Sequence, residues 1–558
     1  MKRMKADLII KNAKVFTSAA GSLHASALVV KDGKFIYVGD ESGLSGYEGE
    51  VMDLGGRFIM PGIIDSHVHV TLGSLFEYTD IGLSIESGSK SEALSMIEES
   101  IKNNPGRQHY RFMVERKALG GEEITKEDLD AICPDAELFI LEEETHSMWV
   151  NSKLLAKHHI TDDTPDPVPG LSYYERKDGH ITGNVFESTL MPFLLDGAFD
   201  LTDEQIDSEL ERWIDFCVNN GVTCVFDAGI PEFNDFHERV YRRLREIDRQ
   251  GKLPVYIDGC YLITQPQQAK EGIEQLKRMR REFDTEHLKV HTLKIFMDGT
   301  LKIETAALVS PYEDTHECGT TSFNEDELAE LLKELNHEGF DLHLHTVGEK
   351  ASRTVLDAVE MVRKELGDEY RVKVTCAHLE IQDDADLDRF AELGVFANFT
   401  PWWHAGNIGG VPHDVWRELL GEKRANSMYR CKSLWDSGAT VTWSCDEVYY
   451  ADFVPWNPYL GMEVGMTRSI TEKTKAYDWD ITGETFPPDS EKMNIEEMIL
   501  GYTINGARQL GIEDSKGSIE AGKDADFLVF DNDLLTAEQE GFSYNIQSEV
   551  YFRGKLLK

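Results

Sequence analysis

The sequence predicts an α/β protein: a (β/α)8 TIM barrel with a small composite β-sandwich from both termini and an insertion after the first barrel strand. Three observations predict it. Eight short apolar segments alternate with helix-like segments between residues 63 and 446, the signature of parallel strands with crossover helices. Both ends of the chain instead carry short strands and turns. Several of the eight segments end in histidine, lysine or aspartate, and barrel strands hold functional groups at that end.

The ends come first. Asp7-Leu-Ile-Ile, Lys14-Val-Phe-Thr, Ala27-Leu-Val-Val and Phe35-Ile-Tyr-Val read as strands, and so do Asp526-Phe-Leu-Val-Phe and Glu549-Val-Tyr-Phe. Neither end has much core alone, so residues 1–60 and 511–558 are expected to form one sandwich. The barrel takes 61–510. Its strands are expected at Ile63–Val70, Val222–Ala228, Pro254–Leu262, Leu288–Met297, Leu342–Val347, Val372–Leu379, Val395–Thr400 and Thr440–Asp446. Helices are expected at Asp235–Arg249, Glu325–Asn336 and Glu349–Leu366, from leucines at helical spacing and acids in the first turn. Residues 71–200 exceed one βα unit. They hold a helix (Ser91–Asn103), a strand (Glu137–Leu141) and a proline-rich loop, and read as an insertion over the active-site face. A second excursion, Val448–Pro488, follows the eighth strand.

Composition narrows the function. The net charge is −44, from 57 basic and 101 acidic residues. Such a field repels nucleic acid and anionic membrane surfaces, so neither is an expected partner. Eight scattered cysteines without a CxxC pair read as reduced, buried thiols of a cytoplasmic protein. The sequence offers no secretory signal and no apolar run of about 18 residues.

In Phe58-Ile-Met-Pro-Gly-Ile-Ile-Asp-Ser-His-Val-His69 an apolar run ends in His67-Val-His69. Strand side chains alternate faces, so the two imidazoles share one side. That is half of a metal site, or simply two satisfied histidines. Further strand ends supply Lys294 and Asp298, His343 and His345, His378, and Asp446. Neutral imidazoles with carboxylates suit Zn²⁺ and related divalent ions. Lys294 is the odd member, because a free ammonium cannot ligate a cation and is costly to bury. A salt bridge, for instance to Asp298 or Glu304, and a chemical modification are both open.

The chain resembles the metal-dependent amidohydrolase superfamily, most closely its N-substituted formamide deformylase-like branch. The matching motifs are Met60-Pro-Gly-Ile-Ile-Asp-Ser-His-Val-His69, Trp149-Val-Asn-Ser-Lys153, Gly183-Asn-Val-Phe-Glu187, Lys294-Ile-Phe-Met-Asp-Gly299, His345-Thr-Val-Gly-Glu349, Ala377-His378, Ser444-Cys-Asp446, Thr503-Ile-Asn-Gly-Ala507 and Gly517–Asp526. They span nearly the whole chain. The resemblance implies metal ligation by His67, His69, Lys294, His345, His378 and Asp446. Lys294 would be carboxylated and bridge the ions if there are two, and Zn²⁺ is the expected metal. Of His343 and His345, the motif selects His345. Two departures are Cys445 between Ser444 and Asp446, and Thr-Val-Gly-Glu after His345.

The expected function is hydrolysis of an amide-type carbon–nitrogen bond, outside peptide bonds, in a small hydrophobic substrate. Hydroxide held by the metal attacks the carbonyl, and Asp446 acts as base and then acid. The alternatives are a nonhydrolytic enzyme on the same fold, an isomerase or decarboxylase, and a catalytically silent binding or scaffold relative. The aromatics Phe76, Trp149, Trp402, Trp403, Tyr449, Tyr450 and Trp456 read either as an apolar pocket wall or as loop packing. His146 and Glu187 are expected to shape the site with Trp149, Trp402 and Trp403, without assigned chemistry. Arg468 reads as a surface residue, with carboxylate binding as the alternative. A homodimer is expected.

Overall fold

A computed structural model describes residues 3–70, 88–114, 116–142, 145–195, 201–230, 236–405, 413–446, 457–471, 473–474 and 485–558. Eight parallel strands form one sheet in chain order: β1 (Ile63–Val68), β2 (Val222–Asp227), β3 (Tyr256–Ile263), β4 (Leu288–Phe296), β5 (Asp341–Thr346), β6 (Val374–His378), β7 (Phe396–Phe399) and β8 (Val441–Trp443). The two outer strands meet. The backbone N–H of Asp446 donates to the carbonyl of His67 at 3.0 Å, and that of Cys445 to the Asp65 carboxylate at 3.1 Å. With helices alternating between the strands, this is the expected (β/α)8 barrel. The strands are buried on both faces; β2 and β6 read as mainly apolar runs, whereas β5 alternates leucine with histidine.

The helices follow from their ends and spacing. In Glu325–Glu338, Asn324 and Glu327 form a capping box, and Gly339 closes the helix in the left-handed conformation at φ 69°. Leu328, Leu331, Leu332 and Leu335 line its buried side. The eighth strand is shorter than expected. It leaves the ladder after Trp443, and Asp446 turns to φ 51°.

At the ends of the chain, Phe58–Pro61 pairs antiparallel with Phe527–Phe530, with Met60 opposite Leu528. A six-stranded sheet thus draws on both ends, and a four-stranded sheet of Met4–Lys11, Ala27–Lys31, Lys34–Gly39 and Tyr47–Asp53 joins its core. Phe527 stacks on Tyr551 at 4.3 Å between centroids within that core. After Phe58–Pro61 the chain passes directly into β1. The intervening Gly62 is required, since a Cβ there would lie 2.2 Å from the Thr223 hydroxyl.

Between β1 and β2 lies a five-stranded sheet of His109–Val114, Glu137–Glu142, Ser147–Val150, Tyr174–Lys177 and His180–Phe186. Helices Lys90–Asn103 and Lys126–Ile132 share its core through Ile97 and Leu129. The eight cysteines stand outside any disulfide, and seven are buried. No helix among the described residues is long and apolar enough to cross a membrane.

Candidate active site

Strand register brings the polar strand ends together. Lys294 on β4 lies level with His343 on β5, and His345 sits two residues further toward the C-terminal end, level with Phe296. Thr346 pairs with His378 at the end of β6. His67, His378 and Asp446 place one ligand-capable atom each within 4.8 Å of one another. His67 Nε2 lies 3.3 Å and His69 Nε2 3.4 Å from Asp446 Oδ1, while His378 Nδ1 lies 3.8 Å from Oδ2. The rings of His345 and His378 are 4.5 Å apart. His378 and Asp446 both adopt left-handed backbone, at φ 78° and 51°. Such strain concentrates where a side chain must be aimed for function, at about 1–3 kcal/mol per residue.

The nitrogen that each histidine presents can be worked out. His69 Nδ1 is 2.7 Å from the carbonyl of Gly229. A carbonyl only accepts, so Nδ1 carries a proton and Nε2 is the atom that faces Asp446. His67 Nδ1 contacts His343 Nε2 at 2.9 Å, which leaves His67 Nε2 as the atom facing Asp446. Burial pushes the His67, His343 and His378 imidazolium pKa values well below the ordinary histidine range, with the nearby Lys294 charge adding to it, and burial brings His345 down to about 3. Neutral imidazoles are what a cation needs.

The donor set fits a divalent ion. His67 Nε2, His345 Nδ1, His378 Nδ1, Asp446 Oδ1 and Lys294 Nζ are all buried polar atoms with no hydrogen-bond partner among the described residues. A buried polar atom left without a partner costs about 1–3 kcal/mol, and an ion among the grouped atoms of His67, His378 and Asp446 would serve three of the five, while His345 Nδ1 also lies 3.5 Å from Asp298 Oδ1. Lys294 has no carboxylate salt bridge among the described residues. Asp298 instead accepts the backbone N–H groups of Val347, Gly348 and Ala307 at 2.8–2.9 Å, and Glu304 pairs with the Thr315 hydroxyl. Neither of the two expected partners therefore pairs with Lys294. Burial lowers its ammonium pKa to about 8.

The other expected residues divide. Trp403 stacks on His378 with 5.3 Å between centroids, and the Trp402 indole N–H donates to the carbonyl of Cys445 at 2.8 Å. His146 comes from the insertion and reaches to 5.6 Å from the His345 ring. Its Nδ1–H donates to Glu187 at 2.7 Å, and Glu187 also accepts the Thr305 hydroxyl at 2.6 Å. Trp149 is buried in the insertion's own core, with its indole N–H on Glu123, so it offers almost no surface to a ligand. Arg468 is a correction. It is fully buried rather than on the surface, and it donates to the backbone carbonyls of Met428, Tyr429, Phe486 and Pro487. Among the described residues those carbonyls, not a carboxylate, are its hydrogen-bond partners. Phe76, Tyr449, Tyr450 and Trp456 lie outside the described residues. Two residues without an assigned role emerge. His343 orients His67, and its period-two spacing from His345 was the available signal. Asp298 holds the β5 end, and no local pattern announces that.

Neutral histidines and a carboxylate gathered at the strand ends of a (β/α)8 barrel define a class, the metal-dependent hydrolases. Residues 50–557 match the amidohydrolase family, and the chain belongs to that family. It is 28% identical over 412 residues to the exoenzymes regulatory protein AepA of Pectobacterium carotovorum subsp. carotovorum, covering 71% of this chain and 86% of that protein. It is 27% identical over 549 residues to the N-substituted formamide deformylase of Arthrobacter pascens, covering 94% of each, in agreement with the branch that the motifs resemble. Among solved structures, an uncharacterized metal-dependent hydrolase from Pyrococcus horikoshii OT3 superimposes with a TM-score of 0.67 at 24% identity. The match covers 95% of this chain and 99% of that one, and is a likeness of fold.

Proposed function

We propose that this amidohydrolase cleaves an amide-type carbon–nitrogen bond, outside peptide bonds, in a small hydrophobic substrate, with Asp446 as the proton shuttle. The observation that carries the reading is the cluster of His67, His378 and Asp446 at the mouth of the barrel, with the His345 ring against His378 and their ligand-capable atoms without a hydrogen-bond partner among the described residues. These residues, with His69 and Lys294, would hold one or two divalent ions, of which Zn²⁺ suits the donor set best. A divalent ion bound there polarises a carbonyl and lowers the pKa of water toward neutrality. Lys294 contributes as a carbamate. Its amine, with the ammonium pKa drawn down to about 8 by burial, adds to CO2, forms an N–C bond and releases one proton. An anion then stands where a buried cation would be unpaired.

Asp446 has both carboxylate oxygens near the histidine nitrogens. It takes a proton from the attacking water and returns it to the leaving nitrogen. Trp403, stacked on His378, and Trp402 provide an apolar wall for the acyl or amine substituent. His146, held by Glu187, borders the same space from the insertion. The test is Asp446→Asn in zinc-loaded protein, assayed by mass spectrometry on a library of formamides, N-acyl amino acids and cyclic amides. Turnover should fall about 10²- to 10⁴-fold with metal content largely retained. Near-wild-type turnover in that variant would sink the assignment.

A further inference from the structure

Among the described residues the His69 ring makes one hydrogen bond, from Nδ1–H to the carbonyl of Gly229 at 2.7 Å. That bond joins two separate backbone segments, the turn after β1 and the turn after β2. A single atom clamps both. Asp227 Oδ1, at the end of β2, accepts the N–H of Val70 at 3.2 Å and the N–H of Gly229 at 3.1 Å. Val70 directly follows His69, and Gly229 supplies the carbonyl. The other carboxylate oxygen, Oδ2, accepts the Tyr241 hydroxyl at 2.8 Å. That hydroxyl accepts in turn the Cys260 N–H of β3 at 3.1 Å. Asp227 and Tyr241 are fully buried.

Two glycines keep the path open. Gly229 sits at φ 65°, the left-handed region, and a Cβ there would lie 2.7 Å from Cys260 Sγ. Its backbone turn aims the carbonyl at His69. Gly259 lies beneath Tyr241, where a Cβ would come within 2.4 Å of the hydroxyl. The sequence has therefore left out side chains at the two points where the chain of contacts needs room.

We propose that Asp227 and Tyr241 are positioning residues for the metal site: they fix the ring plane and tautomer of His69 through the Gly229 carbonyl, and so set how tightly an ion is held. A bland alternative exists, in which the Asp–Tyr pair merely fastens the helix Phe236–Arg249 to the sheet. The clamp on both Val70 and Gly229 favours the positioning role. Partners one step behind a ligating histidine typically govern about 10- to 100-fold in metal affinity.

The proposal rests on His69 being a ligand, and the experiment separates the two. Zn²⁺ affinity is measured by chelator competition on full-length wild type, Asp227→Ala, Asp227→Asn and Tyr241→Phe, together with the melting temperature of each metal-free protein. Asp227→Ala should weaken Zn²⁺ binding about 10- to 100-fold. Asp227→Asn keeps one acceptor oxygen for Val70 and Gly229, and should recover most of that loss. Tyr241→Phe should weaken binding severalfold without touching either turn. Wild-type affinity in folded Asp227→Ala overturns the proposal, as does an equal loss in the Ala and Asn variants. If Asp227→Ala does not fold, Tyr241→Phe decides, and unchanged affinity there overturns it. Wild-type protein that binds no Zn²⁺ refutes the metal reading itself and this proposal with it.

Discussion

Removing acceptor capacity at Asp298 should loosen the corner that carries His345. The Asp298 carboxylate is fully buried at the end of β4 and accepts three backbone N–H groups, from Val347 at 2.9 Å and from Gly348 and Ala307 at 2.8 and 2.9 Å. An alanine there leaves three buried donors without partners. At about 1–3 kcal/mol apiece the loss reaches roughly 3–9 kcal/mol. That is comparable with the whole stability of a typical domain, about 5–15 kcal/mol, so Asp298→Ala should yield little soluble protein. Asp298→Asn is the informative variant. Its one oxygen serves Gly348 and Ala307, while its amide faces the Val347 N–H, donor against donor. One lost bond at about 1–3 kcal/mol corresponds to roughly 5- to 150-fold faster opening at Val347. Hydrogen–deuterium exchange of metal-free protein reads this in peptides spanning 341–349, with peptides of β7 as the internal control. Unchanged protection at Val347 in Asp298→Asn would refute the reasoning, because the carboxylate would then not be what holds that turn.

Two further outcomes follow from packing and charge. Gly299→Ala would bring a Cβ to 2.1 Å from both Glu187 Oε1 and the Thr305 hydroxyl. The Glu187–Thr305 contact should part and release His146, lowering kcat about 100-fold, the scale of a 1 Å misplacement, with metal content intact; a normal kcat would show that His146 does not border the substrate. Asp258, buried at the start of β3, has its carboxyl pKa pushed up to about 7 by burial. Between those two pKa values its folded state holds a proton that the unfolded state has released, so its contribution to stability is full below about pH 3.8 and is lost progressively as pH rises from there through about 7. Asp258→Asn should raise the melting temperature at pH 8 and not at pH 4; an equal shift at both would refute the titration.

The sequence by itself determined the fold class and the order of its parts. Parallel barrel strands are buried on both faces, so Val222–Asp227 stands out as a mainly apolar run. The helix Glu325–Glu338 is written in its cap and its leucine spacing. Period two likewise marked His67 with His69, and His343 with His345, as residues of one face, because pleating is a local property.

Contacts between segments distant in the chain were beyond that reach. Local spacing cannot say that His343 turns toward His67, 276 residues away. Nor can it say that Asp298 spends its oxygens on backbone amides rather than on Lys294. Arg468 read as a surface charge because arginine normally is one; only the folded chain brings four carbonyls around it. The clamp from Tyr241 through Asp227 to His69 lies in the same category. Periodicity records which way a side chain points from its own element, whereas its partner is fixed by how the barrel closes, and closure is a property of the tertiary structure alone.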